Sequence, residues 1–199
     1  DLNFLNAAKA ACEKLGIEYM TKTNIPEGQE AYEAACELAD AGCNFIFADS
    51  FGHEDYIIEA AKEYPDVQFS HATGTKAHTE GLDNFHNAFA SIYDGRYLAG
   101  IVAGMKTQKN YIGYVAAKGI PEVIRGINAF TLGVQSVNPD AKVEVVFTDT
   151  WYDPTVEKQA ALELLNKGVD IIAQHQDTTA PQVAAEEKGA YCIGYNFPT

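Results

Sequence analysis

No apolar run in this 199-residue sequence approaches the roughly 18 residues that a membrane-crossing helix needs. The longest candidate, Tyr97 to Met105, is short and rich in glycine and alanine. Cysteine is scarce: Cys12, Cys36, Cys43 and Cys192 show no C-x-x-C spacing and are too few for a disulfide scaffold. Three of them fall in or beside apolar faces and read as small buried residues. Basic residues are also few, 14 Lys plus Arg against 28 Asp plus Glu, giving a formal net charge of -14. Such a surface repels nucleic acid unless a local basic patch intervenes, and the sequence holds none. The acidic residues are scattered along helical segments and read as a solvated surface. A P-loop, a G-x-S-x-G elbow and a G-x-G-x-x-G after a strand are all missing. What remains, 47% hydrophobic and 21% charged, is ordinary for a globular protein and allows one large domain or two small lobes.

Strand-like and helix-like segments alternate almost throughout, which predicts an α/β architecture with mostly parallel strands. Leu5, Ala8, Cys12 and Leu15 have the three-to-four spacing of an amphipathic helix, closed by Gly16. Ile17 to Thr23 reads as a strand, and Pro26 as the start of a helix running to about Ala41. Further strands are expected at 45–49, 67–71, 85–89, 111–116, 143–147, 169–173 and 190–193, with helices between them. Gly100 and Gly104, four apart in the helix expected over 95–106, predict a close backbone approach. The alternation restarts at Gln108-Lys109-Asn110, which places a lobe boundary between 1–107 and 108–199. The chain opens in a helix with no preceding strand and stops just after one, so both ends read as truncated, and the lack of a signal peptide or lipid-attachment sequence at the start decides nothing.

Polar and aromatic clusters repeatedly follow the short apolar runs. Phe45 to Ala48 leads into Asp49-Ser50-Phe51-Gly52, and Val143 to Phe147 into Thr148-Asp149-Thr150-Trp151. Val169 to Ala173 leads into Gln174-His175-Gln176-Asp177, and Ala190 to Ile193 into Gly194-Tyr195-Asn196. In open α/β sheets, ligands bind just outside the carboxyl ends of the strands. These four ends, with Phe51 and Trp151 among them, describe a pocket for a flat polar ligand. His53, His71, His78 and His86 are grouped, yet their spacings fit no zinc pattern. Ser50 beside His53 lacks an oxyanion site or a third partner, so a hydrolase is the weaker reading. We expect no catalytic residue, no metal and no cofactor.

Several segments together resemble the basic membrane protein (BMP) family of ABC-transporter solute-binding lipoproteins, whose members bind purine nucleosides or bases. They are Ala48-Asp49-Ser50-Phe51-Gly52, His71-Ala72-Thr73-Gly74, Tyr93-Asp94-Gly95-Arg96-Tyr97-Leu98-Ala99-Gly100, Ile120 to Phe130, Trp151-Tyr152-Asp153-Pro154 and Ala173-Gln174-His175-Gln176-Asp177. The resemblance implies two doubly wound parallel-sheet lobes of the type I periplasmic-binding-protein kind, with the ligand in the cleft between them. It further implies an extracytoplasmic, lipid-anchored or periplasmic monomer that hands its ligand to a membrane permease. Ser50 and Phe51 match the first-lobe strand-end motif, and Phe51 and Trp151 are expected to stack on the ring, each worth roughly 0.5–1.5 kcal/mol beyond burial. Ser50, Asp177 and Asn196 are expected to hydrogen-bond the ring edge or a ribose. Asp177 equally fits the N-cap of the following helix. Asn196 stands where the family commonly has Asp, and an amide can donate as well as accept. Tyr97, Arg125 and Asn128 lie within helices and read as packing residues. A sensor domain of the same fold is the alternative output.

Overall fold

A computed structural model describes residues 2–195, and the chain divides into two compact units between Ala90 and Ser91. The first contains α1 (Leu2–Leu15), α2 (Gln29–Asp40), β1 (Phe45–Ala48), a 3-10 turn (Phe51–His53) and α3 (Glu54–Glu63). It continues with β2 (Gln68–His71), α4 (Ala77–Glu80) and β3 (Phe85–Asn87). The three strands are parallel in the order β1-β2-β3. Ile46, Phe69 and Phe85 pack with Ala35 of α2 and Ile57, Ile58 and Ala61 of α3. Strand alternation turns Phe47 the other way, where its ring lies 5.5 Å from Phe4 of α1. Asn84 locks the layers: its buried amide donates to the carbonyls of Ala61, Tyr64 and Val67 at 2.9–3.1 Å.

The second unit contains α5 (Ile92–Lys106), β4 (Tyr111–Ala116), α6 (Pro121–Val137) and β5 (Lys142–Phe147). It ends with α7 (Pro154–Asn166), β6 (Ile171–His175), α8 (Ala180–Glu187) and β7 (Tyr191–Ile193). Its parallel sheet has the order β5-β4-β6-β7. Ile112, Tyr114 and Ala116 face Ala103, Phe130 and Val134 of α5 and α6, while Val115 faces Leu164 of α7 and Ala184 of α8. Helices therefore cover both faces, the doubly wound arrangement the family resemblance implies. Asp153 starts α7 by accepting from Thr155 N (3.0 Å) and Val156 N (3.1 Å).

The division falls earlier than the 107/108 boundary read from the sequence, because α5 packs inside the second unit. A side-chain carbon at Gly100 would stand 2.0 Å from the Phe130 carbonyl oxygen, and one at Gly133 2.1 Å from that of Tyr97. The segment after α5 is a clamp and not a linker. Asp170 accepts from Thr107 Oγ1 (2.7 Å), Gln108 N (2.6 Å) and Lys109 N (3.0 Å).

Three other expectations change. Residues 17–23 form no strand and join no ladder; Ile17 and Met20 stay exposed, while Lys22 pairs with Glu37 and Met20 Sδ meets Cys43 Sγ. A strand needs a partner edge, and apolar content alone does not supply one. Helix α2 starts at Gln29 after an extended Gly28, so Pro26 precedes the helix without opening it. None of the four cysteines is fully buried; Cys12, Cys36 and Cys43 are half-buried and Cys192 is exposed, all as free thiols. Among the described residues no helix is long and apolar enough to cross a membrane.

The α5–α6 contact yields a direct test. Both glycines meet backbone, which cannot rotate aside as a flexible side chain would, so Gly100→Ala and Gly133→Ala should each destabilise the protein by about 1–3 kcal/mol or more. Urea unfolding monitored by circular dichroism measures this, and Gly119→Ala, where a side-chain carbon meets nothing within 4 Å, is the control.

Candidate functional site

The sheet order of the second unit decides where a ligand can enter. From β4 the chain moves through α6 to β5 on one side, then crosses through α7 to β6 on the other. The loops after β4 and β6 therefore diverge, and such a switch point opens a crevice at the carboxyl ends of the strands. Four loops line that end: residues 117–120, 148–153, 176–179 and 194–195. A shallow depression lined by Lys109, Tyr111, Lys142 and Glu144 lies at the opposite, amino-terminal end of β4 and β5. It sits away from the switch point.

Trp151 occupies the β5 loop. It is half-buried against the core that α5 and α6 share with the sheet, and the Lys118 ammonium lies 5.6 Å from its ring centroid. Its backbone carbonyl accepts from Asp177 N at 3.1 Å, so the loops after β5 and β6 are joined there. Asp149 gives the β5 loop its turn with a left-handed backbone (φ 57), a conformation Asp tolerates better than most residues. Gln176 ties the same loops together by donating from Nε2 to Thr148 Oγ1 at 2.5 Å.

Behind Trp151 stands a stack of aromatic and charged groups. The His175 ring lies 6.2 Å from Trp151 and 4.2 Å from Tyr195. The Arg96 guanidinium sits 4.1 Å from the Tyr195 ring and donates from Nη1 to the Gln174 carbonyl at 2.8 Å. Tyr195 donates weakly to Glu122 Oε1 at 3.4 Å, and His175 Nε2 is 3.7 Å from the same oxygen. Arg96, Glu122 and His175 are only 5%, 7% and 3% exposed. Burial is the main cause that pushes the His175 pKa down to about 3, with the Arg96 charge adding to it. Burial also raises the Glu122 carboxyl above its ordinary range, against the Tyr195 hydrogen bond and the charges of Arg125 and Arg96.

The description ABC transporter substrate-binding protein, PnrA-like, belongs to the family whose profile matches residues 4–197. The chain belongs to that family. It is 42% identical over 190 residues to a purine-binding protein of Brucella abortus, covering 94% of this chain and 53% of that one. It is 40% identical over 184 residues to a putative ABC transporter glucose-binding protein of Haloferax volcanii, covering 92% of this chain and 45% of the relative. A solved ABC-transporter solute-binding protein of Aeropyrum pernix superposes with a TM-score of 0.80 at 22% identity, over 94% of this chain and 55% of that one. The chain thus spans about half the length of the curated relatives it matches. The α/β, parallel-sheet fold is that of periplasmic-binding-protein-like solute-binding proteins.

Within this PnrA-like unit the residues singled out by sequence divide into two groups. Trp151 and Asp177 come together at adjacent loops. Asp177 does not cap the next helix: Thr179 is the N-cap residue of α8, and while Asp177 as a residue is exposed, burial around its carboxyl raises that group above its ordinary range. Ser50 and Phe51 lie in the first unit at the end of β1, both half-buried. Ser50 donates to Glu27 Oε1 at 2.8 Å, and its backbone carbonyl meets His71 Nε2 at 2.7 Å. Asn196 lies outside the described residues. Two of the four histidines of the first unit hold backbone: His53 Nε2 faces the Ile25 and Pro26 carbonyls, and His71 Nδ1 accepts from Gly74 N at 2.9 Å, while His86 Nε2 faces Gln68 Oε1 at 3.1 Å.

Sequence reasoning missed Arg96 and Glu122. Tyr97, Arg125 and Asn128 read as packing residues, yet all three lie on exposed faces. The buried charges are one residue before Tyr97 and three before Arg125. The available signal was helical phase, since Arg96 shares a face with Gly100, Ala103 and Gly104, which are also buried.

The sign of the pH dependence follows from His175. Its folded-state pKa lies below the value near 6.5 of an unfolded chain, so its contribution is present in full above that value. The contribution is lost progressively as pH falls from about 6.5 toward 3. Glu122 acts oppositely: its raised pKa favours the fold at low pH and loses that contribution as pH rises through it. We expect His175→Asn to flatten the acid limb of a Tm-against-pH curve; an unchanged slope between pH 6.5 and 4 would show that His175 does not titrate with unfolding.

Proposed function

We propose that this chain is the ligand-binding part of an extracytoplasmic solute-binding protein that delivers a purine nucleoside or purine base to an ABC permease. The observation that carries the reading is the pairing of Trp151 with Asp177 at the switch point of a PnrA-like sheet. A flat aromatic face beside a partly buried carboxyl at a loop suits a ring with N–H groups on its edge, or a ribose. The likeness to a purine-binding protein of Brucella abortus supports the same ligand class. Phe51 supplies a second ring, and Ser50, Asp177 and Asn196 hydrogen-bond the ligand. No residue is assigned a catalytic role, and no metal or cofactor is required. The working protein is a monomer held at the cell membrane by a lipid anchor or free in the periplasm. Ligand binding favours one arrangement of the protein by contacts made only in that arrangement.

A sugar is the competing ligand, because a tryptophan face and a carboxylate also suit a pyranose and one relative carries a glucose-binding name. A thermal-shift panel of purine bases, nucleosides, pyrimidines, glucose and amino acids separates the two, since a ligand of the folded state raises Tm by mass action. We expect the rise to be confined to purines. Trp151→Ala should then weaken purine binding by about 1–3 kcal/mol in titration calorimetry. A flat purine response with a rise for glucose would replace the ligand and leave the fold untouched.

A further inference from the structure

Arg96 places a charge inside the second unit, and only its Nη1 group is satisfied there, by the Gln174 carbonyl. Its Nε and Nη2 meet no acceptor, and the Tyr114 hydroxyl and His175 Nδ1 also lack hydrogen-bond partners. All four atoms belong to one side of the sheet. Tyr114 pairs with Ala173, and Ala116 with His175, on the face covered by α5 and α6. The Arg96 guanidinium is 5.8 Å from the Tyr114 ring.

Across from these groups α6 presents Gly126. A side-chain carbon there would stand 3.7 Å from Arg96 Cγ, 3.8 Å from Arg96 Nε and 3.9 Å from His175 Nδ1. Those are ordinary contact distances, so the space is about one atom wide, and two of the four unpartnered groups border it. Arginine N–H groups can only donate, so whatever satisfies them must accept. Leaving such donors dry is costly, and a buried charge more so. Gly126 also sits inside a helix, where alanine is the better helix former. The glycine has a cost for the helix and an open space to show for it.

We propose that Gly126 keeps open a buried site for a single-atom hydrogen-bond acceptor, a water molecule or a halide ion, held by Arg96 and His175. The site satisfies Arg96 Nε, and the Tyr195 ring that lies 4.1 Å from the same guanidinium in turn adjoins His175 and, through it, Trp151. The inference is independent of which ligand the protein carries.

The test is a sign. Gly126→Ala brings a better helix former into a space that accommodates it, so a dry site predicts a Tm increase of roughly 2–4 °C. An occupied site predicts a decrease of similar size, because the methyl group evicts the acceptor and strands Arg96 Nε. We expect the decrease in the full chain, and we expect it to vanish or reverse when Gly126→Ala is made in an Arg96→Met background. Melting in sodium gluconate, chloride and bromide distinguishes the sources: a halide site raises Tm in the halide salts, and a water site gives equal values. A crystal structure of the unaltered protein provides the check that needs no variant, with a density peak about 3 Å from Arg96 Nε. A higher Tm for Gly126→Ala, or a crystal structure with no peak there, overturns the proposal.

Discussion

Strand β4 is the constraint on which the second unit depends. It is hydrogen-bonded along both edges and covered on both faces, so every residue from Ile112 to Ala116 is buried. A strand so enclosed must be apolar or small on both sides, and Ile-Gly-Tyr-Val-Ala meets that demand. It also fixes the switch point, because the chain leaves β4 for one neighbour and returns to the other. Trp151, Asp177 and the stack behind them are close together for that reason alone. Nothing in the local sequence of either loop brings them together.

The architecture was largely legible because its signal is periodic. Helix α6 runs from Pro121 to Val137, and the helix and strand alternation of the second unit follows the sequence to within a few residues. The largest shifts are α5, which begins at Ile92 and not at 95, and β6, which runs from Ile171 to His175 and so takes in two residues expected beyond its end. The reading failed where the outcome depends on a partner far away in sequence. Residues 17–23 have strand-like composition but no ladder to join, and the boundary near residue 107 dissolves because Gly100 and Gly133 draw α5 against α6. The strand-end residues were visible as clusters. The buried charges behind them were not, because Arg96 sits between two exposed residues and Glu122 stands in the first turn of its helix, where an acidic residue is ordinary.

Charge burial is the costly part of this design. Arg96, Glu122 and His175 are all taken out of water within one face, and they answer one another imperfectly: the His175–Glu122 separation of 3.7 Å is too long for a hydrogen bond. Breaking such a group by removing one member leaves the others uncompensated. The arrangement persists beside Trp151, where a fixed ring orientation has a use, while the purely structural clamps at Asp170 and Asn84 are built from ordinary, fully satisfied hydrogen bonds.

The sequence contains a single tryptophan, and the fold has put it at the loop after β5, half-buried, with an imidazole 6.2 Å away and an ammonium above it. This chain therefore carries its own optical reporter at a place where a ligand is expected. Within these 199 residues its emission has no background from other indoles, and the imidazole beside it stays uncharged through the neutral range, so in this chain a change in colour or intensity on adding a solute comes from that loop.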